Sequence, residues 1–154
     1  MNLILGILGL IVSTYLGYMY SKKYIDRKKF YEDFFYFNKN FYNQVSYSQN
    51  SLIKVVKDKD DNSYFNTLLK EIIINNNEDI KLSDNFLKED EEFFKEYVAN
   101  IGKSDYDTQK KYLSEMDSMI IKKMADAEEN EKKYKKTYLK LGFTVGLIIL
   151  IILI

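Results

Sequence analysis

At 154 residues, the chain has roughly 110 left for a folded domain once two apolar ends are set aside, enough for one modest core and no more. Its 23 basic and 23 acidic side chains cancel to a formal charge of zero, so no global field draws it to nucleic acid. With no His and no Cys it lacks the usual zinc ligands, disulfides, thiolate nucleophile and neutral-pH proton shuttle, and with no Pro nothing obliges a helix to break.

Residues 3–20 are an almost unbroken apolar run without an ionised side chain, followed at once by Lys22, Lys23, Arg27, Lys28 and Lys29. At a rise near 1.5 Å per residue the run covers about 27 Å, close to a hydrocarbon core of about 30 Å. The uncharged start and the exit Gly17-Tyr18-Met19-Tyr20-Ser21 do not suit a cleavable signal peptide. At the other end Lys132, Lys133, Lys135, Lys136 and Lys140 lead into residues 141–154. That block covers about 21 Å, is extended by Tyr138 and Leu139, and spans a thin or locally pinched bilayer if Lys140 snorkels to the interface.

Cytoplasmic flanks collect Lys and Arg, so both basic clusters are expected inside and both termini outside. The basic stretches also lie where anionic lipid headgroups would be. The expected organisation is a transmembrane helix at 1–21, a cytoplasmic helical domain at 22–138 and a second transmembrane helix at 139–154. Gly9, Ser13 and Gly17 recur at four-residue steps in the first apolar segment, as do Gly142 and Gly146 in the second. Such spacing puts small residues on one face, where helices pair closely within the chain or between copies, the latter making a homo-oligomer. The plainer reading is that glycines are common in membrane helices.

Beyond Asp26, residues Phe30, Phe34, Phe37, Phe41 and Val45 follow steps of three and four, with Tyr31, Phe35 and Tyr42 widening the stripe. This predicts a helix with a broad buried face, continuous with the first apolar segment. Ser48, Gln49, Asn50 and Ser51 loosen the pattern before a short helix over 52–57. In the polar run 58–63, Asp58, Asp60 and Asn62 occupy the first, third and fifth ligand places of a calcium loop. Ser63 stands where the turn needs Gly and Leu69 where the bidentate Glu belongs, so a solvated turn that caps the next helix is expected.

A third helix carries Tyr64, Phe65, Leu68, Leu69, Ile72 and Ile73 and ends at Asn75, Asn76 and Asn77. Ser83 or Asp84 can cap a fourth, whose core face is Phe86, Leu87, Phe93, Phe94, Tyr97, Val98 and Ile101. Its acidic run Glu89-Asp90-Glu91-Glu92 suits the helix dipole and fans around the helix, too divergent for a general acid and base and so a solvated face. Gly102 fits a left-handed C-terminal position, and Ser104 or Asp105 opens a fifth helix. Gly-Lys-Ser at 102–104 is no phosphate loop, since Tyr97 stands where the upstream Gly is needed and a helix precedes it. From Asp105 a helix without a breaker runs to the membrane, with Tyr112, Leu113, Met116, Ile120, Met124, Ala127, Tyr134, Tyr138 and Leu141 at helical steps. Its stretch 128–133 reads as a solvated stalk.

Three pieces in this order and spacing carry a resemblance: Ser13-Thr14-Tyr15-Leu16-Gly17 in the first apolar helix, Ile101-Gly102-Lys103-Ser104-Asp105 followed by Gln109 and Leu113, and a charged helix entering Leu141-Gly142 and Gly146. Together they resemble, nearly end to end, the stage III sporulation protein AB family of endospore-forming bacteria. The chain departs from that pattern in lacking prolines after Arg27 and near Leu52, and in Tyr112 where a histidine is frequent. The resemblance implies an all-α fold, an antiparallel bundle of about six helices similar to the type II secretion F domain, flanked by the two transmembrane helices. It also implies a place in the channel between mother cell and forespore, in the outer forespore membrane facing the mother-cell cytoplasm. The implied partners are an ATPase like stage III sporulation protein AA and other membrane proteins of that channel.

The chain then reads as a non-catalytic membrane platform that docks the ATPase and couples it to membrane partners. Gly102, Lys103, Asp105 and Gln109 are the partner-binding candidates, against the plainer alternative of a well-capped helix corner. Gly9, Ser13, Gly17, Gly142 and Gly146 are the candidates for membrane helix packing. No catalytic, cofactor-binding or metal-binding residue is assigned, and no cofactor, nucleic acid or small-molecule substrate is expected. The rival reading is a structural or regulatory membrane scaffold, division-associated or phage-type, with no ATPase partner.

Overall fold

Nothing between Asn2 and Tyr47 stops a helix, since an interior Gly costs only about 1 kcal/mol and Pro is absent. In the computed structural model, which describes residues 2–47, 52–57, 63–75 and 81–153, that stretch is one helix. The elements are α1 (Asn2–Tyr47), α2 (Leu52–Lys57), α3 (Tyr64–Ile73), α4 (Lys88–Asn100) and α5 (Tyr106–Leu153). The fold is an all-α bundle of five helices among the described residues, against the expected six or so plus two flanking spans. The count falls because α1 and α5 each carry an apolar terminal segment and a bundle segment in one uninterrupted helix. The polar runs 48–51 and 58–62, with the rejected calcium-loop positions, and Asn76 and Asn77 lie outside the described residues.

The chain divides into two compact units: a central unit, Lys29–Ala125, and an end unit made of Met1–Lys28 with Asp126–Ile154. In the central unit the predicted stripe is the core. Phe30, Phe34, Phe37 and Phe41 are all but inaccessible to solvent, while Phe35 and Tyr42 on the stripe's margins are half-buried. Phe34 meets Tyr97 edge-on at 4.5 Å between ring centroids and stacks on Phe65 at 5.0 Å, and Phe30 meets Phe86 and Phe94 edge-on at 5.0 and 5.4 Å. Each such pair is worth about 0.5–1.5 kcal/mol beyond the area it buries, so ring geometry and not aliphatic bulk fixes the packing. Val55 and Val56 of α2, Leu69 of α3, Val98 of α4 and Leu113, Met116 and Ile120 of α5 complete the core.

The helix starts follow local hydrogen bonding. Ser63 caps α3, its hydroxyl accepting the Asn66 N–H at 3.3 Å. The start of α4 differs from expectation. Ser83 and Asp84 lie in a turn, the N-cap is Leu87, and the helix begins at Lys88. Leu87 has no side-chain acceptor, so the capping runs backward: the Asp90 carboxylate accepts the Leu87 N–H at 3.2 Å. Ser83 instead closes a turn, its carbonyl accepting the Phe86 N–H at 3.0 Å while its own N–H donates to the Tyr64 hydroxyl at 2.8 Å. As a result Leu87, placed by periodicity on the core face, is 54 % exposed, and Phe86 is half-buried against Phe30 and Tyr64.

In the end unit α1 and α5 run antiparallel. The stretch 128–133 is not a wholly solvated stalk, because Glu131 is buried within it, as is Ala127 just before it. Glu131 tolerates this through an ion pair with Lys135 at 2.9 Å. Buried Arg27 donates to Asp126 at 2.8 Å, and buried Ser21 donates to the Tyr18 carbonyl.

Candidate functional site

The corner between α4 and α5 is built from one glycine and one glutamine. Gly102 has φ +72°, the left-handed region predicted for it, and an added Cβ would stand 3.0 Å from Leu52 Cδ2, so conformation and space both select glycine. Gln109, one turn into α5, is buried, and its Oε1 accepts the Gly102 N–H at 2.9 Å and the Ser104 hydroxyl at 3.1 Å. Asp105 accepts the Thr108 N–H at 3.1 Å, and this bond holds its carboxyl below the usual aspartate range.

Of the four candidates, Gly102, Lys103 and Asp105 are exposed and share one loop, whereas Gln109 lies beneath it. Gln109 touches the loop's backbone and so acts on any surface chemistry only by shaping the loop. Its Nε2 is buried with no hydrogen-bond partner, a loose end of about 1–3 kcal/mol.

All five small residues of the apolar segments lie where α1 and α5 meet within the end unit, and Ser13, Gly17 and Gly142 meet one another. A Cβ on Gly17 would come 2.5 Å from the Tyr138 carbonyl oxygen, and one on Gly142 would come 2.6 Å from the Ser13 carbonyl oxygen and 3.2 Å from Gly17 Cα. A Cβ on Gly146 would come 2.8 Å from Leu10 Cα and one on Gly9 2.8 Å from the Ile149 side chain, while the Ser13 hydroxyl donates to the Gly142 carbonyl. Gly6, which the four-residue spacing passes over, belongs to the same face, against Leu150. Backbones approach because nothing larger than hydrogen intervenes. Elsewhere the segments are open: the most apolar window is only 17 % buried in α1 and 11 % in α5, and both helices are long and apolar enough to cross a membrane.

Several polar residues with structural consequence carried no sequence signal. Asp90, fully buried, accepts the Tyr31 hydroxyl at 2.6 Å and lies 3.8 Å from the Lys123 ammonium. Asn38, also buried, accepts the Tyr97 hydroxyl and donates to the Leu113 carbonyl, both at 3.1 Å. Burial, with the Tyr112 phenol second, pushes the Tyr97 phenol well above its ordinary value, so it stays a donor. A polar cleft of 160 Å³ lies beside this bond, lined by Asn38, Lys39, Tyr42, Leu113, Ser114 and Asp117. Among the described residues no group of three or more His, Cys, Asp or Glu is placed to hold a metal ion.

The corner and the second apolar helix both fall inside the one region where the sequence matches a family model. That model, described as stage III sporulation protein AB, covers residues 59–154. The chain belongs to the stage III sporulation protein AB family. The match takes in α3, α4, the corner and α5, and stops short of the Ser13 to Gly17 pattern in α1. No curated protein and no solved structure matches the chain. As a family member with two candidate membrane spans near its ends, it is a non-catalytic, two-pass membrane protein of sporulation.

Proposed function

We propose that this stage III sporulation protein AB family member is a membrane platform in the channel between mother cell and forespore. It docks a secretion-type ATPase like stage III sporulation protein AA and couples it to other membrane proteins of the channel. In this reading 1–21 and 139–154 are the spans, 22–138 is the cytoplasmic domain, and both termini are extracytoplasmic, since the lysine clusters lie on the inner flank of each apolar segment. The membrane is the outer forespore membrane, with the domain facing the mother-cell cytoplasm. The central bundle is read as similar to the type II secretion F domain, a warrant by analogy.

The observation that carries the proposal is the course of α5, one helix that opens at the exposed corner of Gly102, Lys103 and Asp105 and closes in an apolar segment able to span. A partner held at the corner is thereby joined through the chain to the bilayer. The pairing faces of Gly9, Ser13, Gly17, Gly142 and Gly146 serve to hold the two spans together.

The test is capture of the purified ATPase by the full chain in detergent micelles. Asp105→Lys is expected to weaken capture about tenfold or more with the circular dichroism spectrum unchanged. Helix content lost along with capture makes the corner structural only, and undiminished capture removes the docking role. Absence of capture by the native chain favours a scaffold with no ATPase partner.

A further inference from the structure

The end unit carries a strip of four tyrosines drawn from two helices. Tyr24 and Tyr134 stack at 4.5 Å with 14° between their planes, and Tyr138 lies 6.2 Å from both Tyr20 and Tyr24. Tyr20 is 67 % exposed and the other three are half-buried, so the strip keeps one edge toward its surroundings. An ammonium from each helix sits over it: Lys23 at 5.0 Å from the Tyr24 ring and Lys133 at 5.4 Å from the Tyr134 ring.

The charge around this strip is one-sided. No Asp or Glu occurs in residues 2–25 or 132–153. The first acid beyond the strip on α1 is Asp26, beside Arg27, and on α5 Glu128 pairs with Lys132 at 2.7 Å and Glu131 with Lys135 at 2.9 Å. Among the described residues no carboxylate pairs with Lys22, Lys23, Lys133, Lys136 or Lys140. The strip's depth is given by the sequence, because Tyr20 closes the apolar run 3–20 and Tyr138 stands three residues before Leu141. Aromatic rings with polar tips and unpaired lysines at the edge of an apolar segment match the headgroup layer in polarity and charge.

We propose that the tyrosine strip bracketed by Lys23 and Lys133 binds the headgroup phosphate of an anionic phospholipid, and that the protein thereby selects anionic over zwitterionic lipid. The ammoniums supply charge, and the Tyr20 and Tyr134 hydroxyls donate to phosphate oxygens, the Tyr24 hydroxyl being engaged with that of Tyr138. A zwitterionic headgroup presents the same phosphate with a cation of its own, which the unpaired lysines repel. Lipid is the source, not free phosphate, because the acyl chains of a bound lipid would lie along the open apolar surface of the same unit.

The experiment titrates the full chain in detergent micelles with dioleoylphosphatidylglycerol or dioleoylphosphatidylcholine and counts retained lipid by native mass spectrometry. Retention of the glycerol lipid at lower concentration is expected. Lys23→Gln and Lys133→Gln should each weaken it about fivefold, with phosphatidylcholine retention and helicity unchanged. The double variant Lys22→Gln/Lys136→Gln removes the same charge away from the ring contacts and should lose clearly less than Lys23→Gln/Lys133→Gln. Equal retention of the two lipids overturns the proposal, as does an equal loss in the two double variants, which would mean diffuse charge and no site. Displacement of the lipid by millimolar inorganic phosphate overturns the assignment to a lipid. Should the strip's double variant lose helix, the two single variants carry the same comparison.

Discussion

In the central unit α1 packs on its neighbours through rings, Phe34 on Tyr97 of α4 and on Phe65 of α3, whereas in the apolar segments of the end unit α1 and α5 approach backbone to backbone, Gly17 against Gly142 and Gly146 against Leu10. The solvent each unit is suited to explains the contrast. In water, burying aromatic area is favourable by itself, so large rings drive association and a few buried polar groups settle register. In hydrocarbon, tails are as apolar as leucine, and helices gain by close van der Waals contact and by bonds such as Ser13 hydroxyl to Gly142 carbonyl. One helix, α1, thus changes its packing chemistry along its length.

The difference is most sharply exposed by removing a polar anchor from the ring-packed unit. Asp90→Ala leaves the Tyr31 hydroxyl and the Leu87 N–H without their acceptor and Lys123 without its counter-charge. The expected cost is about 3 kcal/mol, the scale for breaking a buried ion pair from one side. A thermal melt followed by circular dichroism should show an earlier loss of the central unit's helix. Spin-label distances between exposed Val12 and Phe143, substituted by labelled cysteines, should not change. A shift in those distances would mean that packing in the end unit depends on the buried carboxylate.

The converse perturbation is Gly17→Leu. Its side chain would start 2.5 Å from a carbonyl oxygen, which has no rotamer to escape into, so α1 and α5 must separate locally. Overpacking of this kind costs about 1–3 kcal/mol. Here the Val12 to Phe143 distance distribution should broaden and lengthen, while the melt of the central unit stays in place. An unchanged distribution would show that the small-residue face is incidental to pairing.

These two residues also mark how far sequence alone reaches. The face holding Gly17 was legible because small residues at four-residue steps form a local pattern, as do Phe30, Phe34, Phe37 and Phe41, and Gly102 was legible because a left-handed corner admits little else. Asp90 was not. It stands in a run of four acids that reads as solvated, and what distinguishes it is Tyr31, 59 residues away in the chain. The start of α4 escapes the sequence for a related reason: Ser83 has the right chemistry for a cap, but it sits in a turn whose backbone is tied to Tyr64, which no local window contains. Gln109 is a docking candidate by its place beside the corner, and only the fold shows it beneath the loop. The dense charge around Glu131 predicts a solvated stalk, whereas burial there follows from how α1 and α5 pack.

The smallest expected effect lies at the corner itself and concerns acid. The Asp105 carboxyl is held below the ordinary aspartate value, about 3.9, chiefly because the charged form accepts the Thr108 N–H. A group with a depressed folded-state value favours the folded form above its unfolded value, and that contribution fades as pH falls through the folded one. The cap should therefore be intact at neutral pH and at pH 5, and weaken only below about pH 4. The Thr108 amide resonance is the direct reporter, and its acid titration should have a midpoint under that of an unstructured aspartate peptide. Asp105→Asn retains a side-chain oxygen acceptor without the charge, so it should remove the titration while keeping the amide bonded. A midpoint at the ordinary value would mean that Asp105 does not cap α5, and Asp105→Lys would then be a change of surface charge alone.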